Sequence, residues 1–545
     1  MKIRVDYRAS LSLVGSVLRY LAVPLAAPLL VSLYYGEPVA PFVVTAAVTV
    51  GVGSALERLD PDPDLGAREG FLMVSVTWFA VACVGAVPYL VEAHGVPGVT
   101  AAARPASTLA NPANALFESM SGFTTTGATV LGDISFDGHT HGVLLWRQLT
   151  QWLGGMGIVV LAVAILPELS VGGAQLMDAE APGPGIEKLT PRIAETARVL
   201  WGAYVGFTVL EMTLLFGLHL GGLAPALDGV AAGTDHAAAL YSAVAHALTT
   251  MPTGGFSPEA RSIEAFSAAV QWVIIPFMVV AGTNFALFWH ALTGDPRRLF
   301  EDEEFRFYGG VMAVLTALVA VLLFTGGGLV DAAPADGTYD AQYLAQWTGM
   351  LVGHVEPAVR HAAFQVVSIV TTTGYASMDF NAWSQPAQYV LLVAMFVGGS
   401  AGSTGGAIKM VRWYVILKSI RRELFTTAHP NAVRPVRLNG RALDERAVRG
   451  IYAFTVLYIV LFFAGGLVLF LDAVRVGLHL STLEAMSAAA STLGNVGPGF
   501  GVVGPMGSYL SFSNVSKLFM VLLMWFGRLE ILPVLVCLTP EYWRR

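Results

Sequence analysis

The chain has 545 residues, of which 55% are hydrophobic and only 13% are charged, and its formal net charge is −7. This composition, with a mean hydropathy of +0.63, excludes an ordinary soluble domain and indicates a protein embedded in a lipid bilayer. The two cysteines, Cys83 and Cys537, both lie in apolar segments, so no disulfide framework is predicted.

Apolar segments long enough to cross a bilayer as a helix, about 20 residues, follow one another along the chain. They lie near residues 11–34, 71–93, 142–167, 198–222, 265–292, 308–330, 387–417, 449–473 and 512–538, with a shorter one near 41–56. The first is too long for a removable signal peptide and lacks a small-residue cleavage site, so we expect it to be retained. The sequence predicts an all-α integral membrane protein.

Four shorter apolar segments lie between the long ones, near residues 113–123, 239–249, 357–370 and 480–492. A helix of about ten residues cannot span the bilayer. Irregular backbone after such a helix is tolerated at membrane depth only where it is buried in protein or lines a watery cavity. We therefore predict four re-entrant helices.

Each short segment runs into a turn that contains glycine. The turns read Thr124-Thr125-Thr126-Gly127, Met251-Pro252-Thr253-Gly254, Thr371-Thr372-Thr373-Gly374 and Asn495-Val496-Gly497-Pro498. Their glycines, Gly127, Gly254, Gly374 and Gly497, are separated by 127, 120 and 123 residues. A unit of span, re-entrant helix, turn and span thus recurs four times, and four such units can surround a central pore.

The repeat predicts five regions. They are an N-terminal transmembrane helix pair at 1–66 and four pore repeats at 67–197, 198–305, 306–448 and 449–545. Within the turns, glycine permits the left-handed backbone that aims successive carbonyls at an axis, and threonine hydroxyls add further oxygen atoms. A single such turn is also typical of close helix packing, but four at nearly equal spacing favour an ion pathway.

The segment 387–417 is interrupted by the glycine-rich run 398–406. Glycine costs about 1 kcal/mol relative to alanine inside a helix, so five glycines in nine residues predict a break; the alternative is a close helix crossing. Lys409 follows the run, and Arg528 lies in the last apolar segment, where a charged residue usually faces protein or water. The alternative for Arg528 is a pairing with Glu530 or a position near a helix end.

Basic residues predict the orientation, since short loops rich in lysine and arginine stay in the cytoplasm. Such residues cluster at 188–198, 297–306 and 418–449 and at both chain ends. The loops before the turns carry acidic residues instead: Asp228, Asp235, Asp331, Asp336 and Asp340. Both termini are therefore predicted to be cytoplasmic, with the turns opening outward into an acidic mouth.

Longer motifs extend over essentially the whole chain, at residues 117–123, 151–157, 187–192, 294–297, 405–409, 429–430, 435–440 and 527–530. Together they resemble the Trk/Ktr/HKT superfamily of cation transporters, and within it the TrkH-type potassium uptake proteins. The resemblance implies potassium uptake across the cell membrane through a gated filter. A symporter coupled to protons or sodium is the alternative, because broken helices also mark such carriers.

The resemblance also implies roles for individual residues. The filter would comprise Thr125, Thr126, Gly127, Thr253, Gly254, Thr372, Thr373, Gly374, Asn495, Val496 and Gly497. Potassium would bind at Thr125, Thr126, Thr253, Gly254, Thr372, Thr373, Asn495 and Val496, with Gly127, Gly254, Gly374 and Gly497 as the central glycines. Two positions depart from the family pattern, because Pro252 lies in the second turn, where the family more often has a small polar residue, and Gly494 is a second candidate glycine in the fourth.

The gate would comprise Gly402, Gly405, Gly406, Lys409 and Arg528, with Arg528 on the conduction path beneath the filter. The implied assembly is a homodimer in membrane lipid. A TrkA-type ring of cytoplasmic regulatory subunits would dock on it and carry the nucleotide-binding domains, since no nucleotide motif occurs in this chain. No catalytic residue, nucleic-acid partner or other cofactor is expected.

Overall fold

The computed structural model describes residues 5–60, 66–160, 193–224, 235–292, 294–332 and 339–543, and these residues are mostly helical. The first half contains α1 Tyr7–Leu21, α2 Ala26–Tyr35, α3 Ala40–Glu57, α4 Ala67–Gly85, α5 Val87–His94, α6 Pro112–Phe123, α7 His141–Val160, α8 Ile193–Leu220, α9 His236–Thr250, α10 Ala268–Ala281 and α11 Phe285–Leu292.

The second half contains α12 Arg297–Glu301, α13 Glu303–Thr325, α14 Ala341–Leu351, α15 Val355–Val370, α16 Gln385–Ala394, α17 Met410–Ala428, α18 Glu445–Val476, α19 Thr482–Gly494, α20 Asn514–Arg528, α21 Leu532–Leu538 and α22 Pro540–Trp543. Between α17 and α18 lies a small antiparallel hairpin of β1 Arg437–Leu438 and β2 Arg441–Ala442. Asn439 and Gly440 join its strands with φ of +46° and +78°, as a tight hairpin turn requires.

Six helical stretches among the described residues are long and apolar enough to cross a membrane: Tyr7–Tyr35, Ala40–Glu57, Arg68–His94, Arg198–Leu220, Glu303–Thr325 and Glu445–Val476. Within their most apolar windows, between 22% and 56% of the residues are buried in the protein. The other apolar side chains face outward, as contact with lipid requires. The prediction of a helical, multi-pass membrane protein is confirmed at this level.

Several predicted spans contain a break. The span at 71–93 divides into α4 and α5 just before Pro88, and the span at 265–292 divides into α10 and α11. The last span bends by 118° between α20 and α21, where Glu530 and Ile531 adopt φ of +58° and +62°. Proline lacks an amide donor and left-handed residues cannot continue a helix, so each feature ends the hydrogen-bond ladder.

The four short apolar segments are the helices α6, α9, α15 and α19. Side-chain caps fix three of their starts: Asn111 accepts from the amide of Ala113, Asp235 from those of Ala237 and Ala238, and Ser481 from that of Glu484. Each helix packs against one helix that precedes it and one that follows it in the chain: α6 with α4 and α7, α9 with α8 and α10, α15 with α13 and α16, and α19 with α18 and α20. Their C-terminal ends carry the candidate site.

Some sequence predictions fall outside the described residues. They are the motif at 187–192, the end of the span at 142–167, and the acidic residues Asp228 and Asp336. Two other acidic residues of the predicted mouth have local roles, because Asp235 caps α9 and Asp340 caps α14.

Candidate functional site

The four turns begin with the same main-chain hydrogen bond. In each, an amide donates to the carbonyl oxygen of the fifth residue before it, at 2.8–2.9 Å: Thr126 to Ser121, Gly254 to Thr249, Thr373 to Ser368 and Val496 to Ser491. The residue before each donor is left-handed although it is not glycine, with φ of +52° at Thr125, +55° at Thr253, +60° at Thr372 and +54° at Asn495. The four turns therefore share one backbone conformation.

A glycine with positive φ follows each donor, with φ of +78° at Gly127, +76° at Gly255, +80° at Gly374 and +106° at Gly497. By backbone conformation, the counterpart of Gly127 in the second turn is therefore Gly255 rather than Gly254, the residue that the sequence spacing selected. Gly254 is instead the counterpart of Thr126. In the fourth turn the same bonds give Gly497 the equivalent position, and Gly494 ends α19.

The four turns contact one another in a closed cycle. A Cβ atom added at Gly127 would overlap the carbonyl oxygen of Gly254, one at Gly255 that of Thr373, one at Gly374 that of Val496, and one at Gly497 that of Thr126. Each contact joins one turn to the next, and the last returns to the first. We call residues 125–127, 253–255, 372–374 and 495–497 the turn ring.

Threonine hydroxyls of the turn ring are used in hydrogen bonds within the protein. The hydroxyl of Thr126 lies 2.7 Å from that of Thr124 and accepts from the side-chain amide Nδ2 of Asn495 at 2.9 Å. The hydroxyl of Thr373 lies 2.7 Å from that of Thr371. These bonds fix the side chains in place, which leaves main-chain carbonyls as the repeated oxygen atoms of the ring.

A buried ion pair supports the first two turns from the side. Arg147 in α7 donates to Glu118 in α6 at 2.6 Å, with side chains only 2% and 0% exposed. Glu118 also accepts from the amide of Val130 at 2.9 Å, and Arg147 donates to the carbonyl of Ser257 at 3.1 Å. The pair thus ties α6, α7 and the segments that follow the first and second turns.

The predicted break between α16 and α17 is present, because residues 395–409 contain no helix. We call these residues the broken-helix segment; they include Gly402, Gly405, Gly406 and Lys409. Main-chain amides attach the segment to its neighbours: Ser400 donates to the carbonyl of Gly282 at 2.8 Å, Ala407 to the carbonyl of Gly494 at 2.9 Å, and Gly406 to the hydroxyl of Thr372 at 2.7 Å. The segment therefore lies directly against the third and fourth turns.

Buried charged side chains hold the broken-helix segment in shape. Glu304 accepts from the amides of Ala401 and Val411 at 2.8 and 3.1 Å, so it connects the middle of the segment to the first turn of α17. Lys409 donates from its Nζ to the carbonyl of Gly405 at 2.5 Å. These bonds satisfy main-chain groups that the broken helix leaves without their usual partners.

Arg528 ends α20 and is 3% exposed. Its guanidinium donates to the carbonyl of Thr404 in the broken-helix segment at 2.7 Å and to the carbonyl of Gly154 in α7 at 3.2 Å. A Cβ atom added at Gly154 would overlap the carbonyl of Phe123, so α7 is packed against the end of α6 at this point. Glu530, the alternative partner, accepts from Arg412 at 2.6 Å.

A cavity of about 60 Å³ adjoins the turn ring and is lined by a glycine from each turn: Gly127, Gly255, Gly374 and Gly497. Arg147 and Glu259 also line it. Burial raises the pKa of the Glu259 carboxyl above its ordinary value. All four turns therefore open to one small polar space.

Comparison with known proteins bears on this geometry. Residues 40–544 match the TrkH family model, described as cation transport protein. The Trk system potassium uptake protein TrkH of Escherichia coli strain K12 is 35% identical over 545 residues, covering 99% of each chain, and that of Halomonas elongata is 35% identical over 546 residues with the same coverage. The crystal structure of the potassium transporter TrkH from Vibrio parahaemolyticus matches with a TM-score of 0.79 at 31% identity, covering 99% of this chain and all of the other.

Proposed function

Because the chain belongs to the TrkH family of cation transport proteins and is a transporter rather than an enzyme, we propose that it takes up potassium ions across the cell membrane through the turn ring. The relatives named for potassium uptake match over nearly their whole length. The cell membrane is the expected location, with both termini in the cytoplasm.

The observation that carries this proposal is the closed cycle of four equivalent turns. Each turn presents a main-chain carbonyl against the glycine of the preceding turn, at residues 126, 254, 373 and 496. Oxygen atoms arranged around a common centre can replace the hydration shell of a potassium ion. In this proposal the four repeats surround a central pore, α6, α9, α15 and α19 are the pore helices, and the turn ring is the selectivity filter.

The filter in this proposal is less symmetric than four identical loops. The side-chain amide of Gln151 donates to the carbonyl of Gly254 at 2.6 Å, and Asn495 replaces a threonine in the fourth turn. Fewer equivalent oxygen rings would result. The proposed preference for potassium over sodium is therefore weaker than that of a fourfold-identical filter.

The broken-helix segment and Arg528 form the gate in this proposal. The segment is bonded to Thr372 and Gly494, and Arg528 connects it to α7. A buried positive charge next to the ion path repels cations. Opening would require Arg528 to leave the carbonyls of Thr404 and Gly154.

The regulatory assembly is also part of the proposal. Two copies of the chain would form a homodimer, on which a TrkA-type ring of cytoplasmic nucleotide-binding subunits docks. The basic region at 418–449 is a candidate docking surface because Arg421, Arg434 and Arg446 are exposed there.

The test is the flux of potassium and sodium into liposomes that contain the purified chain, compared with Gly127→Ser. Gly127 has a positive φ and no room for a side chain, so the substitution should reduce potassium selectivity. Gly206→Ser is the matched control, since a Cβ added there meets no heavy atom within 4 Å beyond its own stretch of helix. Unchanged selectivity in a well-folded Gly127→Ser protein would contradict the filter, and flux that requires a proton or sodium gradient would favour the symporter.

A further inference from the structure

Glu211 is a fully buried acidic residue in α8 that belongs to no motif. It lies on the same helix face as the buried residues Tyr204, Thr208 and Leu215, at the spacing of an inward-facing stripe. The neighbouring side chains of Leu210 and Leu214 are 49% and 44% exposed on the opposite side. The carboxyl group therefore points into the protein and away from lipid.

Neither carboxyl oxygen of Glu211 has a hydrogen-bond partner among the described residues. An ionised carboxylate left in such surroundings would cost several kcal/mol. A protonated carboxyl avoids most of this cost and gains an O–H donor. The surroundings of Glu211 therefore favour the neutral acid.

The hydroxyl groups of Thr250 and Tyr375 lie close enough to the Glu211 carboxyl to affect its charge, although neither is hydrogen-bonded to it. Thr250 is the last residue of α9 and precedes the second turn, whereas Tyr375 directly follows Gly374 of the third turn. The hydroxyl of Thr250 donates to the carbonyl of His246 at 2.9 Å, and that of Tyr375 donates to the same carbonyl at 3.1 Å. These bonds join the end of α9 to the first residue beyond the third turn.

Thr250 can accept a further hydrogen bond, because its own proton is directed at the carbonyl of His246. A protonated Glu211 supplies an O–H donor for which this hydroxyl is an acceptor. Through Thr250 and Tyr375, Glu211 is connected to the second and third turns. These two turns contact each other where Gly255 is packed against the carbonyl of Thr373.

We propose that Glu211 is a protonated positioning residue, which donates to Thr250 and holds the second and third turns of the turn ring in register. The inference rests on the proposed function, since the turn ring must select potassium for the register to matter. Ionisation of Glu211 would attract the hydroxyl of Tyr375 away from the carbonyl of His246. The second and third turns would then separate and discriminate less between potassium and sodium.

Other titratable groups near Glu211 have their own partners. His246 in α9 lies 2.8 Å from the carbonyl of Ser242 through Nδ1 and 3.0 Å from the hydroxyl of Ser257 through Nε2. On α8 itself, Tyr204 donates to the carbonyl of Trp152 at 3.0 Å, and His219 stacks edge-on against Phe266. A pH response that disappears in Glu211→Gln is therefore assigned to Glu211 rather than to these residues.

The first experiment is infrared spectroscopy of the purified chain in liposomes. Wild type should show the C=O stretching band of a protonated carboxyl group that is missing from Glu211→Gln. This measurement does not depend on transport, so it tests protonation even if the proposed function is wrong. Identical spectra in the carboxyl region would overturn the proposal.

The second experiment measures the ratio of potassium to sodium flux at neutral and alkaline pH. Glu211→Leu should lower this ratio about fivefold, the effect of one lost hydrogen bond of ordinary strength, and Tyr375→Phe should lower it without adding to Glu211→Leu. Glu211→Gln keeps a donor and should retain the ratio while abolishing its decline at alkaline pH. Thr213→Val is the control, because Thr213 is exposed and bonds only to its own helix among the described contacts.

The outcomes separate the two hypotheses. If wild type shows no preference for potassium, the proposed function fails and only the infrared result bears on Glu211. If wild type prefers potassium but Glu211→Leu has the same ratio and pH profile, the turn ring stands and the role of Glu211 is overturned.

Discussion

The turn ring and the broken-helix segment are both irregular backbone buried among helices, yet they are held in different ways. In the turn ring one hydrogen bond recurs in four turns, and each glycine is packed on the carbonyl of the next turn. In the broken-helix segment the bonds do not repeat one pattern, and their partners include a carbonyl of α19, the hydroxyl of Thr372 and the guanidinium of Arg528.

This difference indicates which region can change shape. A cycle of equivalent contacts loses all of its register if one turn shifts, because each turn contacts two others. The unlike bonds of the broken-helix segment contribute about 1 kcal/mol each and can be broken separately. We therefore expect substitutions in the turn ring to abolish selectivity and substitutions in the broken-helix segment to change the rate of flux.

The largest effect is expected from Gly255→Ala in the turn ring. A left-handed non-glycine residue costs about 1–2 kcal/mol, and the added Cβ would also overlap the carbonyl of Thr373. Potassium-selective flux into liposomes should fall to background. Gly254→Ala is the matched control, because Gly254 lacks a positive φ and its added Cβ meets the end of the flexible Gln151 side chain. Equal loss in both variants would contradict the assignment of Gly255 as the counterpart of Gly127.

The second largest effect is expected from Glu118→Gln, which leaves Arg147 buried without its carboxylate partner. Breaking a buried ion pair from one side costs about 3–5 kcal/mol, and the thermal unfolding of the purified protein should shift accordingly. Asp295→Asn is the control, since its pair with Arg298 is 51% exposed on both sides and such pairs contribute about 0–1 kcal/mol. Similar shifts in the two variants would show that the Glu118 pair does not support the turn ring.

A smaller effect is expected from Asp379, which lies beyond the third turn and is 3% exposed. Burial raises the pKa of its carboxyl to about 6, compared with about 3.9 in an unfolded chain. The folded protein therefore binds more protons between these values, so its stability should decrease as pH rises through this interval, by about 3 kcal/mol at most. Asp379→Asn keeps the oxygen that accepts from the amide of Asn381 and should remove this dependence, measured by thermal unfolding across the same pH range.

Much of this architecture could be predicted from the sequence, because the length and spacing of the apolar segments determine where the helices lie. Apolar length predicted the six spans found among the described residues, whereas the predicted spans at 265–292, 387–417 and 512–538 are broken or bent and that at 142–167 is only partly described. The four short helices begin and end within about three residues of the predicted bounds, since polar caps and glycine turns limit them. The break at 398–406 was also predictable from the sequence. A helix that contains five glycines in nine residues is too unfavourable to compete with irregular backbone there.

The details of the site depended on contacts between distant residues. Gly254 and Gly255 both tolerate a positive φ, and only packing against Thr373 selects Gly255. Glu211 is a single acid in an apolar segment, and no spacing distinguishes it before the position of Thr250 and Tyr375 is known. A buried acid in a predicted span is nevertheless a signal that can be searched for.

The smallest effect is expected from Arg528→Gln, which tests the broken-helix segment without touching the turn ring. Glutamine can still donate to the carbonyl of Thr404 but carries no charge, so a barrier to cations beneath the ring should fall. We expect potassium flux to rise about tenfold, which corresponds to about 1.4 kcal/mol, with the ratio of potassium to sodium unchanged. Arg449→Gln on the exposed surface is the control. A change in selectivity rather than rate would mean that Arg528 supports the turn ring, and the contrast between the two regions would then be wrong.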